Sequence, residues 1–218
     1  SFDSPIVGSY YGELMKDITD KNHIRELPTD SATSKMCAWD LGMSDSTSIW
    51  VAETIGGEVR LMDYYENNGQ SLSHYIEWLD EKGYRDYTQI LPHDVMVKEL
   101  QTGKSRFEFL SDAGLQIDVA PKSSVEDGIQ AVRRMLPNCW FNKDTTRQGV
   151  ECLRNYRRVF NEKLNVFQEK PLHDWSSHCA DAFRYLALGL DTATIQRTNW
   201  AKPYETTYDG ESYKQQYL

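Results

Sequence analysis

The sequence predicts an α/β domain built on a mixed sheet, an antiparallel meander extended by parallel strands and flanked by helices. Three observations predict it. Strand-like segments fill residues 35–65 and include a Gly-Gly turn; an amphipathic helix and a further strand follow, ending near residue 91; and a helix with a continuous apolar stripe closes the patterned region near residue 190.

The elements follow in order. Residues 1–34 are polar and mixed, with Tyr10-Tyr11 and one short helix around residues 9–20, and read as a lead-in or linker segment. Lys35–Leu41 is mostly apolar, which suits a central strand buried on both faces. Thr47–Thr54 carries Ile49, Trp50 and Val51, and Gly56-Gly57 supplies a tight hairpin turn into Glu58–Tyr65. Ser71 is a good N-cap for a helix that puts Leu72, Tyr75, Ile76 and Leu79 on one face. Tyr87–Leu91 is a fourth strand. A strand–helix–strand crossover is right-handed, so this strand runs parallel to an earlier one and docks beside the first. Gln116–Ala120 is a short strand, Val125–Leu136 and Thr145–Tyr156 are helices, and residues 155–168 hold a hairpin. Trp175–Leu190 is the last and clearest helix. Asp191 to Leu218 is polar, lacks apolar periodicity and reads as a mobile tail. The domain proper is therefore expected over residues 35–190.

Composition bounds what such a domain does. A chain of 218 residues suits one domain with appendages, and 39% hydrophobic residues with six Trp and 13 Tyr can fill a core. No stretch nears the roughly 20 apolar residues needed to cross a bilayer, and no charged-then-apolar leader opens the chain, so neither a membrane partner nor secretion is expected. Cys37, Cys139, Cys152 and Cys179 are far apart and form no CxxC pair, which argues for buried free thiols and against zinc. The net charge of −9 counts against nucleic-acid binding, where phosphate neutralisation dominates affinity. Two points soften this. Ions held by carboxylates reverse the local charge. The basic residues also cluster: Lys98, Lys104 and Arg106; Arg133, Arg134 and Lys143; Arg154, Arg157 and Arg158. Each cluster reads equally well as a solvated face.

Three carboxylates stand out. Asp40 interrupts an apolar strand, and Asp94 follows the fourth strand. On neighbouring strands the two would lie close, repel, and need protons or cations. Asp40 as a turn former and Asp94 as a helix cap are the plainer alternatives. In the last helix, Trp175, Cys179, Ala182, Phe183, Leu186 and Leu190 form an apolar stripe, and Asp174, His178, Asp181 and Tyr185 form a polar one. Asp174 reads as the N-cap. Asp181, between Ala180 and Ala182, reads as an ion ligand or as a surface acid, and His178 as a contact behind the ligands or with substrate. An oxygen-only set suits Mg²⁺ or Mn²⁺ and two-ion phosphoryl chemistry. The order β-β-β-α-β with a late returning helix matches the ribonuclease-H-like plan.

The strings WDLGMSDST (39–47), LPHDV (91–95) and HDWSSHCADAFRYLA (173–187) resemble the nuclease domain of tailed-phage large terminases. The opening SFDSPIVGSYYGELM (1–15) resembles the segment that joins the terminase ATPase to its nuclease. The resemblance runs to about residue 190. It implies that Asp40, Asp94 and Asp181 bind two Mg²⁺ or Mn²⁺ ions, with Asp45 an accessory acid; His93 and Asp174 lie within matching strings. It implies an endonuclease that cuts concatemeric double-stranded viral DNA in the host cytoplasm. It also implies partners in the full-length protein: an ATPase domain, the small terminase subunit and the portal or procapsid. Lys104, Arg106, Arg133, Arg134 and Lys143 are the candidate DNA contacts. Gly103-Lys104-Ser105 is not a phosphate-binding loop, because the glycine such a loop needs is Lys98. The competing readings are an actin-like ATPase, another nuclease of this fold such as a junction resolvase or transposase core, and a non-catalytic portal-docking module.

Overall fold

The computed structural model describes residues 5–29, 34–42, 46–98 and 103–200, the last nine of these by backbone alone. The meander forms with central residues buried on both faces of the sheet. Strands β2 (Ser34–Asp40), β3 (Ser46–Ile55) and β4 (Glu58–Asn68) pair antiparallel, and Gly56 and Gly57 turn the hairpin at φ +56° and +90°. Side chains needing negative φ would be strained at both glycines. Helix α2 (Leu72–Lys82) ends at Gly83 in the left-handed region and leads to β5 (Thr88–Leu91), which pairs parallel with β2.

Among the described residues the sheet has seven strands in the order β1-β7-β4-β3-β2-β5-β6, where β1 is Ile24–Arg25, β6 Ile117–Val119 and β7 Cys139–Asn142. Only β3 runs against its neighbours, so β2, β4, β5 and β7 all end at one edge. The ribonuclease-H-like mixed sheet is thus present, with two strands more on the β4 side than the sequence suggests. Both are very short, four residues or fewer, below the length at which alternation can be read.

Each face of the sheet carries its own core. On one face Met36, Ala38 and Trp50 pack beneath α1 (Gly12–Asp20), α4 (Val125–Met135), α5 (Arg147–Asn155) and α6 (Ser177–Trp200). On the other, Cys37, Trp39, Ile49 and Val51 pack beneath α2 and α3 (Arg106–Asp112). Trp50 anchors the first core. Its ring meets Phe183 at 5.1 Å and Phe141 at 6.0 Å, its Nε1 donates to Cys179 O at 3.1 Å, and Gly149 of α5 presses against it. All four cysteines are buried and free.

Three expectations need correction. The segment expected as a lead-in is built into the domain: Tyr10, Tyr11, Met15 and Ile18 are core residues, and β1 extends the sheet. The last helix starts at Ser177 and runs to Trp200, past the expected end at Leu190, so the start of the expected tail is helical; residues 201–218 lie outside the described residues. Trp175 precedes that helix and is 51% exposed, so it is not part of the apolar stripe. A hairpin does occupy the region after α5, with β8 (Arg158–Asn161) and β9 (Val166–Pro171) paired antiparallel.

Candidate active site

The parallel pairing of β2 and β5 decides the geometry. Ala38 is opposite Ile90, so Asp40, the last residue of β2, comes level with the end of β5. Asp94 follows two residues after Pro92, in a single 3-10 turn (His93–Met96). Both carboxylates therefore stand at the same edge of the sheet. Asp94 and His93 are exposed, whereas Asp40 retains 16% side-chain exposure.

Helix α6 packs across β2, β3 and β5 on the Asp40 face and brings three polar residues there. His178 Nδ1 lies 2.9 Å from Asp40 Oδ2. Asp181, one turn on, is paired with Arg184, whose Nε and Nη2 both donate to Asp181 Oδ1, at 3.2 and 2.7 Å. The Tyr185 phenol is pushed up to about 12, by burial first and then by the charges of Asp40, Asp181 and Asp94, with Arg184 opposing. One side chain thus feels all three predicted carboxylates. Burial also raises the Asp40 carboxyl above the usual range; the His178 hydrogen bond works against this and the Asp181 charge adds to it.

Asp174 heads α6. Its Oδ1 accepts from the Ser176 N–H at 3.0 Å and the Ser176 hydroxyl at 2.6 Å, its own N–H donates to Ser177 Oγ, and Oδ2 meets Arg157 Nη2 at 3.2 Å. Because α6 begins at Ser177, Asp174 is not its N-cap residue; it closes the turn that leads into the helix. Asp45 lies outside the described residues.

Glu66 was not foreseen. The register aligns Asp40 with Ser48 and Ser48 with Glu66, so all three share one face. Two strand spacings put Glu66 about 10 Å from Asp40 across the sheet. The Tyr64 hydroxyl donates to the Glu66 carboxylate and lies 3.2 Å from Ser48 Oγ. Reading β4 beyond Tyr65 at a period of two would have exposed this residue.

The donor types suit a hard divalent cation, since Asp40, Asp94, Asp181 and Glu66 offer carboxylate oxygens. It is not a closed cage: among the described residues, no three His, Cys, Asp or Glu side chains are gathered tightly enough to hold an ion. Asp40 and His178 form a hydrogen-bonded pair, and Asp94 is exposed at the same edge.

The basic candidates divide. Arg106 donates to Leu41 O at 3.0 Å, directly beside Asp40, and Lys104 pairs with Asp112 two turns away on α3. Lys143 is exposed just past β7 at the carboxylate edge, three strands or about 14 Å from β2. The other two are not brought to this edge. The Arg133 guanidinium is committed to Tyr10 O. Arg134 pairs with Asp191, 13 residues beyond His178 on α6, which is about 20 Å along the helix.

No sequence-family profile and no curated protein sequence matches the chain. Solved structures do. The large terminase nuclease domain of phage P22 aligns over 78% of this chain and 89% of its own, at 17% identity and a TM-score of 0.60. The large terminase nuclease of thermophilic phage G20c, solved with bound magnesium, aligns over 84% and 98%, at 17% identity and a TM-score of 0.55. The large terminase of another thermophilic bacteriophage, solved with ATP-γ-S, aligns at 18% identity and a TM-score of 0.63. That match covers 80% of this chain but 44% of the longer terminase, so the present chain spans less than half of that protein. At such identities the likeness establishes a shared ribonuclease-H-like fold.

Proposed function

We propose that this chain is the nuclease domain of a viral DNA-packaging large terminase and cuts concatemeric double-stranded DNA by metal-dependent phosphodiester hydrolysis. One observation carries the reading: on a fold shared with large-terminase nuclease domains, Asp40 of β2 and Asp94 after β5 stand at one sheet edge, and His178 of α6 lies 2.9 Å from Asp40. A magnesium-bound and a cobalt-bound neighbour support a divalent cation as cofactor.

Asp40, Asp94 and Asp181 would hold the ions. When bound, two Mg²⁺ or Mn²⁺ ions lower the pKa of a water and offset negative charge on the leaving 3′ oxygen. His178 orients Asp40 through the 2.9 Å contact. Arg106 and Lys143 flank the edge from opposite sides, where a phosphodiester backbone would run. Local cations of this kind reconcile DNA binding with a net charge of −9. In the full-length protein the domain would work with an ATPase domain, a small terminase subunit and the portal, in the host cytoplasm.

The test is plasmid cleavage. Relaxation and linearisation are expected with Mg²⁺ or Mn²⁺, without ATP, and Ca²⁺ should support little cutting. Cutting that persists in excess chelator, or in Asp40→Asn, would overturn the proposal.

A further inference from the structure

We infer that Arg184 is a positioning residue that fixes the Asp181 carboxylate for ion binding, through a slot cut into α4 by Gly128; this rests on the metal-dependent reading above. Three observations lead there. Arg184 is only 6% exposed although it carries a full charge, and a guanidinium is seldom buried without a dedicated partner. Its Nε and Nη2 both land on Asp181 Oδ1, so the carboxylate is held from one side and its Oδ2 carries neither of these bonds. The site is also shaped for this side chain. A Cβ at Gly128 would lie 3.1 Å from Arg184 Nη1 and 3.2 Å from its Cδ, tighter than side chains normally approach.

Gly128 sits inside α4, where glycine is a poor helix former. Its presence is accounted for by the arginine it admits. Asp181 and Arg184 together line a cleft of about 190 Å³ with Tyr156, His173 and Ser177, open beside the start of α6. Asp181 is thus pinned between this cleft and the Asp40 side of the helix. The spacing of three residues on one helix brings the two side chains together without any long-range loop. A carboxylate ligand held by a hydrogen-bonding neighbour is ordered before the ion arrives, and loss of such a neighbour typically costs about 10- to 100-fold in metal affinity.

The experiment uses the whole chain in metal-free form, with calorimetric titration of Mn²⁺ and plasmid cleavage as parallel readouts. The variants are Arg184→Lys, Arg184→Met, Gly128→Ala and Asp181→Asn. Gly128→Ala removes no charge and no hydrogen-bonding group; it only crowds the guanidinium. Arg184→Met and Gly128→Ala are each expected to weaken Mn²⁺ binding about 10-fold or more. Arg184→Lys, which keeps the charge but not the two-nitrogen grip, should recover only part of the loss. Raising Mn²⁺ should restore the cleavage rate in the Gly128→Ala variant. Parent-like Mn²⁺ affinity in folded Arg184→Met and Gly128→Ala would overturn the inference. Loss of cooperative unfolding in both Gly128→Ala and Arg184→Lys would also overturn it, assigning Arg184 to the fold alone. Asp181→Asn separates this outcome from failure of the broader reading. If that variant binds Mn²⁺ and cuts like the parent, Asp181 is no ligand; if it fails while the other three behave normally, only the role of Arg184 is lost.

Discussion

Replacing Asp181 by Asn should destabilise the metal-free protein, which reverses the expectation from crowded carboxylates alone. With three acids at one edge and no cation, neutralising one would relieve repulsion. The structure introduces a stronger, opposite effect. Arg184 is buried and bonded twice to Asp181 at 2.7 and 3.2 Å, while the Asp181 charge reaches Asp40 only through space, ranking behind burial and the His178 bond. Removing one partner of a buried ion pair costs about 3–5 kcal/mol. Asp181 is 31% exposed, so water compensates part of this. The Asn oxygen still accepts from the guanidinium, trading charge-assisted bonds for weaker ones, which leaves a loss of about 1–2 kcal/mol. For a domain of this size that is roughly 2–8 °C in Tm. The assay is thermal unfolding in excess chelator, with Asp181→Ala expected to fall further than Asp181→Asn. A Tm for Asp181→Asn equal to or above the parent's would refute the reasoning.

Other consequences follow from the same geometry. Because burial raises the Asp40 carboxyl in the fold, the folded state holds that proton more tightly than the unfolded chain does. The stability from this group is present at low pH and is lost as pH climbs from the ordinary value of about 3.9 through the higher folded value. Asp40→Asn should flatten this part of the profile in denaturant titrations without metal, and parallel profiles would contradict it. Gly149→Ala would set a Cβ 2.3 Å from the Trp50 ring, and such overpacking should cost about 1–3 kcal/mol in urea unfolding. Lys143→Ala should lower the salt slope of DNA binding by about one, whereas Arg134→Ala, about 20 Å along α6, should leave it unchanged. Equal effects of the two would put the DNA on a different face.

The central part of the fold is plain in the sequence because its signals are long. The meander fills two long strands joined by a Gly-Gly turn, and a parallel β5 beside β2 follows from the crossover through α2. From that pairing alone, Asp40 and Asp94 reach one edge. What escapes is short or tertiary. β1 and β7 have two and four residues, and α3 has seven. The segment before residue 34 looks polar because only one face of α1 is apolar, yet that face supplies Tyr11, Met15 and Ile18 to the core. Around the site, the stripe on α6 was visible, but helical spacing cannot say which residue of a stripe touches a neighbour. His178 bonds Asp40, and Asp181 meets Arg184. The partner was three residues away in the sequence, masked by the usual reading of such a pair as a surface contact. Arg133 and Arg134 show the converse: adjacent basic residues suggested a phosphate patch, and the helix sends one to Tyr10 O and the other to Asp191.

The most direct measurement is anomalous diffraction from crystals of the chain soaked in Mn²⁺. Anomalous density is expected between Asp40 and Asp94 at the β2–β5 edge, with a second peak on the α6 side within reach of Asp181, and Arg184 still bonded to the Asp181 carboxylate. Density absent from this edge while Mn²⁺ binds in solution, or density centred elsewhere, would contradict the assignment of this edge as the catalytic one.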